Sequence, residues 1–391
     1  MEHPEERYYK LNRFLLSVTG LWPFQSEWSA RFTRTVITVV MLLCIFAQIS
    51  SIFTSDVNMD FFIELLPMLV PTVGNLCQLY TRIVHIDKFK ELFEHMWNDW
   101  ALQKTDDEIQ IMHQHAETTK LLTIYHSLLM CMIVMGYAIW LFTPEIFGVV
   151  LPINESRQRM QTIHVEFYID TERYLYLILF YMCIVIFLAP LVLLASSSLY
   201  LVLTQHVCGM CELLGYRAER LFYVIKDTAE HDLNHGTKIN RENIAAFVRL
   251  HYSVIQFVNT IETCHTIPFL MDLVGIVIAL SLSLIQILTI FENIERACTS
   301  ISFIIATLCY LIIPNYMGQK VTDMSSSICE KVYNSAWYDA DVSEQKSLLL
   351  IMSRRLHPLI LTACKFYPMS LPSFEMILQM GISYCMFMRQ V

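Results

Sequence analysis

Charge is scarce in this chain. Only 16% of its 391 residues are Asp, Glu, Lys or Arg, against about 25% in an ordinary soluble domain. The formal net charge of -9 comes with no basic patch, so nothing offers nucleic acid a docking surface. Glycine and proline are also few, at 10 and 12, which argues against low-complexity linkers and against an all-β chain with frequent turns. Catalytic signatures are missing as well. There is no G-x-S-x-G, no H-E-x-x-H and no phosphate loop, and His126 and His164 share no obvious helix face with a partner. Neither an enzyme nor a bound cofactor is expected.

What the chain has is apolar length. Hydrophobic residues make up 55% and the mean hydropathy is +0.46, the balance of a multi-pass membrane protein. Apolar runs fall at roughly 36–53, 62–84, 121–143, 174–203, 266–291, 298–317 and 367–389. Each is long enough for the roughly 17 to 25 residues that a helix needs to cross hydrocarbon. The first begins too far in for a secretory signal, so it is expected to stay as an anchor. The predicted class is an all-α membrane protein with seven transmembrane helices.

Orientation follows from the loops. Of the 27 Lys and Arg residues, 22 fall on the N-terminal side of the predicted membrane, which puts the N-terminus in the cytoplasm and the C-terminus outside. Arg82 counts with the second loop in this tally. The single N-x-[ST] sequon, at Asn154, lies in a loop predicted to be extracellular and is a candidate glycosylation site. None of the 12 cysteines sits well inside an outer loop, so no disulfide-stapled ectodomain is expected.

The chain divides accordingly. Residues 1–35 form a cytoplasmic segment, 36–203 the first four spans with an outer ligand cavity, and 204–265 a cytoplasmic helical loop. Spans five and six occupy 266–317, a cytoplasmic amphipathic helix 318–366, and a seventh helix 367–391. Within 204–265, Cys208 to Asp227 and Asn243 to His265 read as helices separated by the polar turn HDLNHGTKINRE. Between spans six and seven, Ala336, Ala340, Leu348, Ile351 and Leu356 recur at mainly helical spacing, with a helix start near Asp339 to Ser343. Such cytoplasmic helices would form an anchor that packs subunits together.

Several polar motifs need weighing. Cys208-Gly-Met-Cys211, then His231 and His235, has a zinc-like pattern, but the 19-residue gap exceeds the roughly 12 to 15 of a finger. No metal is expected. His113 and His115 read as solvated residues on a charged helix. Asp272 and Glu375 are the acids nearest the membrane interior, where charge is costly unless paired or wet. For Asp272 a cap or salt bridge is the simpler reading; Glu375 fits a water-lined inner vestibule.

The outer halves of four spans offer walls for a small, mostly apolar ligand. Span two supplies Leu65 and Leu69, span three Ile133, Gly136, Tyr137 and Trp140, span four Leu177 and Tyr181, and span six Ser300 and Phe303. Gly136 and Trp140 are four apart on one helix face, so a small residue makes room beside an indole. Ordinary helix packing would use the same residue types.

The final stretch is interrupted by polar residues, among them Ser370, Ser373, Glu375, Gln379, Ser383 and Gln390. It suits a helix lining water better than one facing lipid. From Phe374 to Met388 a helix fits, with Ile377, Met380, Tyr384, Phe387 and Val391 on one stripe. One such helix encloses no pore, but several copies around an axis do.

Seven spans with a cytoplasmic N-terminus, the amphipathic stretch before span seven and the run PLILTACKFYPMSLPSFEMILQMGISY together make the sequence resemble the insect odorant receptor family. The resemblance implies a ligand-gated, non-selective cation channel, a heterotetramer with the olfactory co-receptor, in the plasma membrane of a sensory neuron dendrite. Its partners would be a small volatile odorant, the co-receptor, membrane lipid and permeant cations. It further implies a pore lined by span seven, with Phe387 and Val391 matching a hydrophobic outer gate and Gln390 a polar residue beside it. The implied pocket lies between spans two, three, four and six. A homomeric gustatory-type channel and a G-protein-coupled receptor are the alternatives, the latter without its expected outer N-terminus or D-R-Y and N-P-x-x-Y signatures.

Overall fold

The structure, a computed structural model, describes residues 4–54, 59–102, 104–150, 175–222, 233–289 and 294–388. Two short helices, α1 (Pro4–Tyr8) and α2 (Lys10–Val18), lead into α3 (Glu27–Thr54), α4 (Met59–Val84), α5 (Ile86–Ala101) and α6 (Asp106–Val150). Three very long helices follow: α7 (Leu175–Arg220), α8 (Leu233–Thr289) and α9 (Ile294–Tyr333). The chain closes with α10 (Val342–Ser353), a two-stranded hairpin of β1 (Thr362–Ala363) and β2 (Tyr367–Pro368), and α11 (Leu371–Met388).

All seven expected spans fall on long helices, namely α3, α4, α6, α7, α8, α9 and α11, apart from a few terminal residues. Among the described residues, five stretches are long and apolar enough to cross a membrane: Glu27–Phe53, Asp106–Ile139, Tyr176–Arg220, Glu242–Ile287 and Ser300–Tyr333. Their exposed faces carry Trp28, Phe32, Tyr125, Phe180 and Ile305. Apolar surface of that extent needs lipid or another chain against it.

Three helices outrun the expected boundaries. α7 passes 203 without a break, α8 passes 265 and α9 passes 317. The polar turn expected over HDLNHGTKINRE is instead helical from Leu233 onward; its single glycine, Gly236, costs only about 1 kcal/mol in a helix interior, and the rest are tolerated there. At the other end, the last helix begins three residues before the expected Phe374, while Tyr367 and Pro368, expected in the span, form a strand. Ser370 explains the start: its hydroxyl accepts from the Ser373 N–H at 3.3 Å, an N-cap.

α7 is the axis of the fold. From Val192 to Ala218 it is buried almost all round, with Val202, Leu203, Leu213 and Leu214 inaccessible, as expected of a helix that is apolar on every face. It packs most extensively against α9 and α6, while α4 lies along α8. The end of the bundle reached by this buried half, where α2, α5, α10 and the hairpin gather, is here called the base; the other end is the crown.

The base is laced by charge. The Arg217 guanidinium donates to both Glu108 oxygens, at 2.6 and 3.1 Å. Glu108 also accepts from the Thr105 N–H at 3.0 Å, completing a capping box at the start of α6. His115 pairs with Glu212 at 2.6 Å, and the Tyr8 hydroxyl bonds His113 at 2.9 Å. Neither histidine is therefore freely solvated, contrary to expectation, because α7 and the N-terminal helices cover that face of α6. On α10, Leu348 and Ile351 are buried as expected, but Leu356 falls in the 3-10 turn beyond the helix and is 80% exposed.

Candidate functional site

The chain's most distinctive internal chemistry is a polar tie between four helices. Arg82, in the last turn of α4, is only 2% exposed. Its Nε donates to Ser196 Oγ on α7 at 2.7 Å, and its Nη2 donates to Gln78 Oε1, one turn back, at 2.9 Å. The Gln78 amide nitrogen in turn donates to Asp272 Oδ2 on α8. Tyr310, on α9, donates its hydroxyl to the same oxygen at 2.6 Å.

The order of groups makes electrostatic sense. Gln78 turns its carbonyl to the cation and its NH2 to the anion, so its dipole is aligned between them. A buried guanidinium and a carboxylate are each expensive alone, and tolerable only when compensated and hydrogen-bonded. The cap or salt bridge expected for Asp272 is replaced by hydrogen bonds from Gln78 and Tyr310, with Gln78 standing between the carboxylate and Arg82, and the tie also corrects the place of Arg82. Counted with a loop in the charge tally, it lies in the last turn of α4 with its side chain buried between helices. Just past α4, burial and then the nearby Lys88 ammonium lower the pKa of His85.

Sequence reasoning found Asp272 and missed Gln78, Arg82, Ser196 and Tyr310. A usable signal existed. Gln78 and Arg82 are spaced i, i+4 at the end of an apolar run, and a cation there calls for an anion on a neighbouring run.

Toward the crown the expected cavity residues occupy α4, α6, α7 and α9. Leu65 is buried, and Leu69, Ile133, Tyr137 and Phe303 are partly buried. Gly136 is exposed, with open space where a Cβ would stand. Leu177 is 62% exposed. Tyr181 donates its hydroxyl to the Val40 carbonyl of α3 at 2.8 Å, and Ser300 donates to Gln286 Oε1 of α8 at 2.7 Å. Trp140 lies on α6, one turn beyond Gly136. An open groove of about 410 Å³ lies elsewhere, between α5 and α8, and its Glu91, His95, Gln256 and Asn259 suit an apolar ligand poorly.

On α11, Glu375 is exposed and accepts from Gln379 Nε2 at 3.1 Å. Ile377 is buried, whereas Met380 and Phe387 are exposed at 49% and 60%. The expected stripe is therefore split, with one member on the chain's own core and two facing away. Gln390, Val391 and Asn154 lie outside the described residues. Cys208 and Cys211 are both fully buried among apolar side chains, and among the described residues no three His, Cys, Asp or Glu side chains gather as a metal site.

Long apolar helices around a buried axis, tied by internal polar bonds, define a helical multi-pass membrane protein. The chain belongs to the 7tm odorant receptor family, whose model matches residues 58–382. This is a family of receptors and not of enzymes. Among curated relatives, odorant receptor Or2 of Anopheles gambiae is 26% identical over 37% of this chain and 38% of its own length. Odorant receptor 22c of Drosophila melanogaster is 25% identical over 46% of this chain and 44% of its own. The odorant receptor coreceptor of Aedes aegypti is 22% identical over 39% and 32%. The matched segments thus span less than half of these relatives.

The fold match is longer. The olfactory receptor OR5 of Machilis hrabei, solved in complex with eugenol, superposes with a TM-score of 0.81 at 12% identity, covering 98% of both chains. The same receptor solved without eugenol gives 0.80 at 14% identity, over 98% of this chain and 97% of that one.

Proposed function

We propose that this chain is the ligand-tuned subunit of an odorant-gated cation channel. The observation that carries the reading is the end-to-end likeness to an olfactory receptor fold, together with apolar, loosely enclosed faces on α4, α6, α7 and α9 toward the crown. In this reading seven helices cross the membrane, the base is cytoplasmic and the crown extracellular, as the Lys and Arg tally favours. A small volatile, mostly apolar molecule binds among Leu65, Leu69, Ile133, Gly136, Tyr137, Trp140 and Phe303. Asn154 is then a glycosylation site on an outer loop.

α11 lines the pore. Its exposed Met380 and Phe387 support that role, since a helix buried in one chain alone would hide them. Phe387, Gln390 and Val391 form the outer gate, and Glu375 faces the inner vestibule. The pore is shared with the olfactory co-receptor in a heterotetramer that pairs through the base, where Leu349, Leu350 and Leu356 stay uncovered in the single chain. The complex sits in the plasma membrane of a sensory neuron dendrite.

Mechanistically, the ligand opens the gate only by binding the open arrangement more tightly than the closed one. A ligand of ~10 heavy atoms at about 0.3 to 1.5 kcal/mol per atom has limited energy to spend on that bias. The closed state therefore lies only a few kcal/mol below the open one.

The test is recording from cells that express this chain alone, or with the co-receptor, under a panel of volatiles that includes eugenol. Cation current requiring both chains is the expected result. Current from this chain alone would identify a gustatory-type homomer, and a G-protein response without current would identify a metabotropic receptor.

A further inference from the structure

The pore helix begins at a joint that the family likeness does not explain. Asn315, on α9, is completely buried. Its amide nitrogen donates to the Leu311 carbonyl at 2.9 Å, which fixes the side chain along its own helix. Its Oδ1 accepts twice from the segment entering α11, from the Tyr367 hydroxyl at 3.0 Å and from the Ser370 N–H at 3.2 Å. Tyr367 is itself only 4% exposed. Ser370 is the N-cap of α11, so one side chain of α9 holds the residue on which the pore helix starts.

Packing makes the joint tight. One turn along α9, a Cβ on Gly318 would stand 2.3 Å from the Met369 carbonyl oxygen, so only glycine permits this approach of the two backbones. The hairpin is pinned from the other side too. The Cys364 N–H donates to Thr266 Oγ1 of α8 at 2.6 Å, and Thr362 donates to Glu262. Cys364 and Lys365 hold φ of 53° and 64°, a left-handed backbone that costs a non-glycine residue energy and is kept by its surroundings. A segment held this way has little slack with which to absorb a displacement.

The same helix reaches the other functional regions. Tyr310, five residues before Asn315, bonds Asp272 of the polar tie, and between them the Pro314 carbonyl accepts from Tyr200 of α7 at 3.4 Å. Farther toward the crown α9 carries Ser300 and Phe303, two of the expected cavity residues. Asn315 thus stands where a shift of α9 must pass to the start of α11.

We propose that Asn315 is a positioning residue for gating, which transmits displacement of α9 to the pore helix through its bonds to Tyr367 and Ser370. It touches neither ligand nor permeant ion. The inference rests on the channel reading above.

The experiment expresses the full chain with the co-receptor and uses whichever panel volatile gives the largest wild-type current. Tyr367→Phe, Asn315→Leu and the double variant are compared at equal surface density, measured by surface labelling. Tyr367→Phe removes one hydroxyl and keeps the ring, so it tests the joint even where Asn315→Leu lowers surface delivery. The expected result is an EC50 raised about fivefold or more by each single variant with a reduced maximal current per surface channel. The double variant should be no worse than the worse single, because the only bond that Tyr367→Phe cuts at the joint is already lost in Asn315→Leu. Unchanged EC50 and maximal current per channel in Tyr367→Phe, or independent effects that multiply in the double, would overturn the proposal. A fall in surface density alone would mark Asn315 as structural and overturn it too. A wild-type chain silent under every volatile would instead defeat the channel reading, and the joint with it.

Discussion

Between Tyr176 and Phe187, α7 turns Tyr176, Leu177, Phe180 and Phe187 outward, whereas from Val192 to Ala218 nearly every side chain is enclosed. The helix is continuous through both halves, so the difference lies in what surrounds it. Toward the base, α2, α4, α6, α8 and α9 close on it with ion pairs and buried amides. Asn12 of α2 reaches in to bond Thr123 at 3.0 Å and the Ser198 carbonyl at 3.4 Å. Toward the crown the contacts thin to isolated bonds such as Tyr181 to Val40. Close packing transmits displacement because cores are poorly compressible; loose apolar walls can adapt to a guest. On the proposed function, selectivity belongs to the crown and transmission to the base.

The sharpest way to break that division is to attack the tie. Asp272→Leu leaves the Arg82 guanidinium buried without its counter-charge and should cost about 3 to 5 kcal/mol, read as lost surface delivery or a lower melting temperature in purified protein. Arg82→Met combined with Asp272→Leu should recover part of that loss. If the single variant were as stable as wild type, the tie would not organise the base.

A smaller loss is expected from Gly318→Ala. Its methyl would meet the Met369 carbonyl, so the two backbones must separate at a cost of about 1 to 3 kcal/mol. The same thermal measurement, repeated for Gly136→Ala, should show no loss and a gain of up to about 1 kcal/mol, because that mid-helix site has open space around it and alanine is the better helix former. Equal losses at the two glycines would erase the contrast between base and crown.

Trp140→Ala tests the crown itself. On the proposed function, loss of its indole should move volatile potency about tenfold, near 1.4 kcal/mol. Dose-response curves unaltered across the panel would count against a cavity there. Least costly is Glu375→Gln on the exposed face of α11. It should lower cation conductance or selectivity modestly with no effect on folding, and an unchanged channel would remove Glu375 from the permeation path.

Much of this architecture was legible as apolar run length. Each run became a long helix because a bilayer-length apolar stretch with little charge satisfies its backbone groups best as a helix. The boundaries were less legible. Helices α7, α8 and α9 continue past the expected span ends because the residues beyond them, such as HVCGMCELLGYRAER, bury against neighbouring helices, and hydropathy falls at that point while helicity does not. Gln78, Arg82 and Tyr310 were missed for a related reason: each looks like an interfacial residue until a partner helix is placed beside it. Asn315 was harder still. Its partners Tyr367 and Ser370 lie more than 50 residues away, and only the folded hairpin brings them to it.

The division of labour is tested most directly by ranking the responses of the co-expressed channel to one panel of volatiles, for wild type, Trp140→Ala and Tyr310→Phe. The account predicts that Trp140→Ala reorders the ranking, while Tyr310→Phe, which removes a bond at 2.6 Å from the tie, scales every response by a common factor and keeps the order. A reordered ranking for Tyr310→Phe, or a uniform scaling for Trp140→Ala, would contradict it.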